Sequence, residues 1–138
     1  MSDLVEFLKA RLEEDEHFAR RTRSGEWTFD ELGQLLVNQG QTISKIANLG
    51  VANFGQHIAR HDPARVLRQV AVGRRTLALH SPAQPGRYDR NDVYECQGCG
   101  VEGPNEWAVT ENIDECPELR DLASIYEGAP GWRERWRA

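Results

Sequence analysis

Three cysteines in the second half of the chain are spaced like ligands of a metal ion. Cys96 and Cys99 form a C-x-x-C pair followed by glycine, a pattern typical of the knuckle in structural zinc sites. Cys116 precedes Pro117, which predicts that it caps a helix N-terminus, where the helix dipole favours its thiolate form. Two thiolates from the knuckle and one from the helix start can therefore converge on a tetrahedral Zn²⁺ ion.

A fourth ligand would complete such a site. His80 is the preferred candidate, because it lies at the predicted end of a long helix, just before the loop that leads to Cys96. His61 is the second candidate, and a water molecule in the fourth position is the third. A fourth protein ligand predicts a closed, structural site, whereas water would leave a position open for catalysis.

The same cysteines allow two other interpretations. Free cysteines often pack as small buried apolar residues, and a single C-x-x-C can be a redox pair. The redox interpretation lacks its usual setting at the strand-to-helix turn of a βαβ unit. Three cysteines cannot all pair within one chain, so thiolate ligands in a reducing compartment are favoured over disulfides.

Two further patterns predict other functions. Residues 42–61 resemble a helix-turn-helix with Gly50 in the turn, which would direct Asn53, Gln56 and Arg60 towards a DNA groove. His57 and His61 are spaced i,i+4, as in metal-dependent hydrolases, but the acid expected of an HExxH helix is absent. DNA binding and metal-dependent hydrolysis therefore stand as alternatives to a non-enzymatic role.

Composition limits these possibilities. The chain has 138 residues, which suits one domain, and a formal net charge of −5, which argues against a broad phosphate-binding surface. We find neither a signal peptide nor an apolar run long enough to span a bilayer, so we expect a soluble cytoplasmic protein without membrane association. The oligomeric state stays open.

The secondary structure predicted from the sequence indicates an α+β domain. Its helices would pack on a small antiparallel sheet, and a zinc-knuckle loop would carry the cysteines. An N-terminal helix is predicted over 1–24, starting at the capping box Asp3–Glu6. A hairpin is predicted over 25–50, although Thr28 and Glu31 could instead cap a helix there. Central helices follow over 52–80, the zinc-binding loop over 81–116, and C-terminal helices over 117–138.

The C-terminal segment carries a pair of large aromatic side chains. Trp132 and Trp136 are spaced i,i+4, which predicts a short final helix. Neighbouring arginines would allow the rings to stack on nucleic-acid bases. Burial of the two rings against the first helix is the favoured role.

Three stretches together resemble an uncharacterised family of small actinobacterial and actinobacteriophage proteins, which has a domain of unknown function. They are "DLVEFLKARLEEDE", "HIARHDPARVLRQVAVGRRTLALH" and "CPELRDLASIYEGAPGWRERW". The family pattern has a histidine at the end of the central helix, then a C-x-x-C, and then a Cys-Pro-x-Leu-Arg-x-Leu-Ala motif. His80, Cys96, Cys99 and Cys116 fall on those positions, so the resemblance implies these four ligands. It implies no reaction, and we expect a non-enzymatic accessory factor that binds another protein.

Overall fold

The chain forms two compact units in a computed structural model that describes residues 2–22, 25–50, 52–83 and 94–138. The first unit comprises Met1–Leu12 and Val72–Ala138, and the second comprises Glu13–Ala71. Within the described ranges there are four α-helices and a small antiparallel three-stranded sheet, which confirms the predicted α+β class. The single-domain organisation stays a prediction.

The sheet belongs to the second unit and has three strands rather than two. Strands β1 (Glu26–Phe29), β2 (Gln34–Asn38) and β3 (Ile43–Asn48) pair antiparallel in that order. The predicted hairpin corresponds to β2 and β3. Strand β1 is an addition, and it pairs with β2 in the segment where a helix was the alternative. The alternation of buried Leu35 and Val37 with more exposed neighbours explains why the sheet forms here.

The helix-turn-helix prediction for residues 42–61 is wrong. Its first helix would have to precede Gly50, but β3 occupies that stretch and its backbone is hydrogen-bonded to β2. Helix α2 (Ala52–Arg60) follows and contacts β1. Gly55 of α2 lies directly against the ring of Phe29, where a Cβ atom would collide with it. A glycine here permits the helix to approach the sheet closely.

The first unit begins with helix α1 (Asp3–Arg21). The predicted capping box is replaced by Ser2, whose Oγ accepts a hydrogen bond of 3.1 Å from the backbone N–H of Val5. Asp114, distant in the chain, accepts hydrogen bonds from Ser2 Oγ and from the backbone N–H of Leu4. Asp3 instead pairs with arginines near the C-terminus. Ser2 and the distant Asp114 therefore cap α1 in place of the predicted Asp3–Glu6 box.

Helix α3 (Pro63–Leu79) leads to the candidate ligand His80. The sequence pair Asp62-Pro63 predicts a helix start, and Asp62 indeed caps α3 by accepting a hydrogen bond of 2.8 Å from the backbone N–H of Arg65. Further along, a Cβ atom on buried Gly73 would come within 2.7 Å of Leu12 Cδ2. The missing side chain thus permits α3 to pack closely on α1 within the first unit.

The remaining elements of the first unit are short. They are β4 (Val101–Glu102), β5 (Trp107–Ala108), helix α4 (Pro117–Ser124) and three 3₁₀ turns at Gln97–Cys99, Ile113–Glu115 and Glu134–Trp136. The apolar stripe of α1, with α4 and the last turn, builds a core that also includes two of the cysteines. Its buried members are Leu4, Val5, Phe7, Leu8, Cys96, Ile113, Cys116, Leu119, Ala123 and Trp136.

The C-terminal segment is not a second α-helix. After Gly131, whose φ is +88°, only the 3₁₀ turn Glu134–Trp136 forms. The predicted burial of the aromatic pair against the first helix is confirmed, because Phe7 of α1 packs on both Trp132 and Trp136. The stretch "VYE" before Cys96 also predicts a short strand from its sequence, but no strand forms at Tyr94 and Glu95, and Val93 lies outside the described residues.

No helix in the described parts of the chain combines the length and apolar character that crossing a membrane requires.

Candidate metal centre

Four side chains from three separate segments meet in the first unit. They are His80, Cys96, Cys99 and Cys116, whose ligand atoms all lie within 4.8 Å of one another. His80 Nδ1 lies 3.5 Å from Cys96 Sγ, 3.8 Å from Cys99 Sγ and 3.4 Å from Cys116 Sγ. The sulfur atoms of Cys99 and Cys116 are 3.6 Å apart.

These separations fit a tetrahedral metal ion. Bonds of about 2.3 Å to sulfur and about 2.0 Å to nitrogen place tetrahedral ligands about 3.8 Å apart for two sulfurs and about 3.5 Å apart for sulfur and nitrogen. The four measured distances lie close to those values. The separations of Cys96 Sγ from the other two sulfur atoms are no more than 4.8 Å, so the four side chains could hold a metal ion, and His80 would bind it through Nδ1.

A short antiparallel pairing positions His80 beside the knuckle. The backbone N–H of Gln97 donates a 3.0 Å hydrogen bond to the carbonyl oxygen of Ser81, and that of Ala83 donates a 2.9 Å bond to Glu95. The pairing begins one residue after His80, and it includes the bridge between Pro82 and Cys96. The predicted loop is consequently tied back to the end of α3 on the side where the imidazole ring lies.

Cys116 occupies the position that the sequence predicted, as the N-cap residue of α4 with proline following. Its carbonyl oxygen accepts a 3.0 Å hydrogen bond from the backbone N–H of Arg120, which closes the first helical turn. The Arg120 side chain in turn donates a 3.1 Å hydrogen bond to the carbonyl oxygen of Asp114. These contacts hold the sulfur of Cys116 inside the core, where it is fully buried.

Burial sets the protonation preference of two of the cysteine thiols. Burial raises the pKa of the Cys96 thiol, and burial likewise raises the pKa of the Cys116 thiol above its ordinary value. Protein atoms alone therefore favour neutral thiols at both positions. A bound divalent ion would reverse this preference, because a coordinating thiol is deprotonated.

Glu118 places a carboxylate next to the cluster. Its Oε2 atom lies 3.4 Å from Cys116 Sγ and 3.8 Å from both Cys99 Sγ and His80 Nδ1. It therefore covers the face of the tetrahedron opposite Cys96, outside the four ligand positions. Its own backbone N–H, in the first turn of α4, lowers the pKa of this carboxyl group.

Sequence reasoning did not single out Glu118. The signal that could have found it is its place two residues after Cys116, in the first turn of a helix that starts at Pro117. A side chain there stays beside the N-cap residue of the same helix.

Comparison of the chain with models of known protein families shows which family it belongs to. A protein-family model matches residues 1–138. The chain belongs to DUF6221, a family of unknown function. Comparisons with curated proteins and with solved structures found no match.

Membership of DUF6221 confirms the predicted resemblance to an uncharacterised family, whereas an actinobacterial or phage origin stays a prediction. The four cluster residues in this DUF6221 chain are the ones chosen from the sequence. His61, the second candidate, is exposed and uses its Nδ1 to donate a 2.8 Å hydrogen bond to the carbonyl oxygen of His57.

The three residues predicted to contact DNA lie on one helix, but the helix-turn-helix on which that prediction depended is absent from the described part of residues 42–61. Asn53, Gln56 and Arg60 are all exposed on α2. Because a strand precedes α2 where the motif needs a helix, the geometry of a recognition helix is missing.

Gly98 offers a test of how tightly the knuckle must approach α3. A Cβ atom at this position would collide with the carbonyl oxygen of Leu79 and would lie 2.8 Å from His80 Nδ1. Gly98→Ala should therefore push the knuckle away from the imidazole ring and weaken metal affinity by about tenfold or more. Competition with a chromophoric chelator measures this change.

The matched control is Gly50→Ala, where a Cβ atom would meet nothing within 4 Å. This variant should keep the wild-type affinity. Equal affinities for wild type and Gly98→Ala would show that the knuckle does not need this close approach.

Proposed function

We propose that this DUF6221 member is a zinc-binding protein in which the ion is structural and which acts by binding another protein. The observation that carries the proposal is the tetrahedral arrangement of three sulfur atoms and one imidazole nitrogen. Three thiolates and an imidazole in a tetrahedron favour Zn²⁺ over the harder cations Mg²⁺ and Ca²⁺. Thiolate ligands also support a reducing compartment such as the cytoplasm.

The ion would connect segments that apolar contacts hold only weakly. It would join the residue after α3, the knuckle turn and the residue before α4. Between the knuckle and α4, the two-stranded hairpin is largely exposed, and Ile113 is the fully buried apolar side chain there. The free energy of zinc binding would stabilise the folded form of this stretch, because the burial of apolar side chains contributes little there.

The arrangement favours a structural ion over a catalytic one. Catalytic zinc keeps one coordination position for water or substrate, whereas here four protein atoms occupy the corners of the tetrahedron. Glu118 lies over one face, but no open corner adjoins it. A non-enzymatic role is therefore the better supported function, and binding of a partner protein is the role that we propose.

Metal analysis of purified variants tests the zinc proposal. Wild type should contain one zinc ion per chain, while His80→Ala and Cys116→Ser should retain less than about half of it, because three ligands bind structural zinc far more weakly than four. His61→Ala is the matched control and should stay fully loaded. Full zinc occupancy in His80→Ala, or no zinc in wild type, would contradict the proposed site.

A further inference from the structure

A groove of about 880 Å³ runs beside the hairpin that the metal centre would hold. We call it the hairpin groove, and it is defined by six of its lining residues: Glu102, Trp107, Val109, Glu111, Glu115 and Pro117. All of them belong to the first unit. The hairpin leaves the knuckle after Cys99, and the chain returns to the cluster at Cys116, so the lining residues are connected to proposed ligands at both ends of this segment.

The groove exposes large apolar side chains. Trp107 is 53% exposed although it belongs to β5 and pairs with Glu102, and Val109, the residue after β5, is 52% exposed. Adjacent Val101 is also 53% exposed. Partly exposed aromatic and aliphatic groups beside polar ones are typical of sites that bind protein segments.

The segment around the groove is strongly acidic. Tyr94–Glu118 contains no Lys, Arg or His, and it carries seven acidic residues: Glu95, Glu102, Glu106, Glu111, Asp114, Glu115 and Glu118. Within this segment Asp114 pairs with Arg135 at 3.5 Å, and elsewhere in the first unit Asp3 pairs with Arg133 at 2.6 Å and Glu127 pairs with Arg137. Among the described residues, no cation pairs with the groove carboxylates of Glu102, Glu111 and Glu115.

We propose that the hairpin groove binds an arginine- or lysine-rich peptide segment of a partner protein, with an apolar side chain between its basic residues. This inference rests on the proposed function and names the chemistry of the partner. Cationic groups would pair with the three carboxylates and stack on the Trp107 ring, while an apolar side chain would contact Val109. Charge complementarity favours this occupant over a nucleic acid, whose phosphates the carboxylates repel.

A second copy of this chain is a less favourable occupant of the groove, because the arginines near its C-terminus already form ion pairs. Arg133 and Arg135 already pair with Asp3, and Arg137 pairs with Glu127 and Glu134. A foreign cationic segment would make new ion pairs without breaking these.

Fluorescence anisotropy with a labelled short peptide of alternating arginine and leucine tests the inference. The zinc-loaded protein should bind this peptide and should not bind the corresponding glutamate–leucine peptide. Affinity should fall as salt is added, because the groove carboxylates are exposed and their interactions are screened.

Two variants of the groove should weaken binding. The triple variant Glu102→Gln, Glu111→Gln, Glu115→Gln should lose about tenfold in affinity, since each exposed ion pair contributes modestly. Trp107→Ala should lose about fivefold or more, because it removes the aromatic surface.

The matched control for charge is a second triple variant in the other unit. Glu13→Gln, Glu26→Gln and Glu31→Gln change the net charge by the same amount at exposed positions. This control should bind the peptide as wild type does. An equal loss in both triple variants would show attraction to overall charge, and it would overturn the inference.

Other results would overturn it as well. These are the absence of binding at low salt, equal binding of the glutamate peptide, and concentration-dependent self-association that the groove variants abolish. Zinc content measured on every variant separates the two proposals. Full zinc with no peptide binding rejects the hairpin groove alone, whereas absent zinc in wild type rejects the proposed function.

Discussion

Removing the metal with a strong zinc chelator should lower the melting temperature of the protein by about 10 °C or more. The physical reason is the composition of the segment between Tyr94 and Cys116. Its hairpin buries little apolar surface, so four metal–ligand bonds would be its main source of order. Without the ion, Cys96 and Cys116 would stay as buried neutral thiols with only weak hydrogen bonds, from Cys96 to His80 and from Cys116 to Cys99.

Differential scanning calorimetry with and without chelator measures the shift. The control is Cys116→Ser, which should already have lost more than about half of its zinc, so that chelator should shift its melting temperature much less than that of wild type. Re-addition of Zn²⁺ should restore the wild-type transition. A wild-type protein that melts unchanged in chelator, after metal analysis shows that its zinc has been removed, would show that the four side chains pack without needing an ion.

The cluster of three cysteines and a histidine was predictable because its members carry a strong local signal. A C-x-x-C turn and a Cys-Pro helix start each fix the direction of a thiol, and both features appear in the structure. The choice of His80 followed from its place at the end of a helix, which the structure ends at Leu79. Glu118 was missed because a helix-start glutamate is common and carries no comparable signal.

The parts of the fold that were mispredicted depend on long-range contacts. Strand β1 has four residues, too few for a clear alternation, and it exists because β2 pairs with it. The start of α1 uses Ser2 and Asp114 instead of the local box, since Asp3 is taken by Arg133 and Arg135. Local patterns cannot show that arginines near the C-terminus pair with Asp3, or that Asp114 lies at the start of α1.

Trp136→Ala should lower the free energy of unfolding by about 3–5 kcal/mol, which corresponds to a melting temperature lower by about 10–20 °C. Trp136 is 1% exposed in the core of the first unit. Its ring packs on Phe7 at 5.0 Å between centroids and on Trp132 at 6.0 Å. Truncation would leave a large cavity beneath a 3₁₀ turn that has few other apolar anchors.

Trp107→Ala is the matched control, because the same side chain is removed from an exposed position. It should change the unfolding free energy by less than about 1 kcal/mol. Trp136→Phe should cost less than Trp136→Ala, since the buried indole Nε1 of Trp136 finds no hydrogen-bond acceptor in the described residues and its removal leaves no group unpaired.

Urea unfolding followed by circular dichroism gives the three free energies. Equal stabilities of Trp136→Ala and Trp107→Ala would mean that the C-terminal turn contributes little to the first unit. A large loss confined to Trp136→Ala, with zinc content unchanged, would show that the aromatic cluster and the metal centre stabilise this unit separately. The long-range pairs of Asp3 with Arg133 and Arg135 would then serve mainly to hold the Trp136 ring against α1.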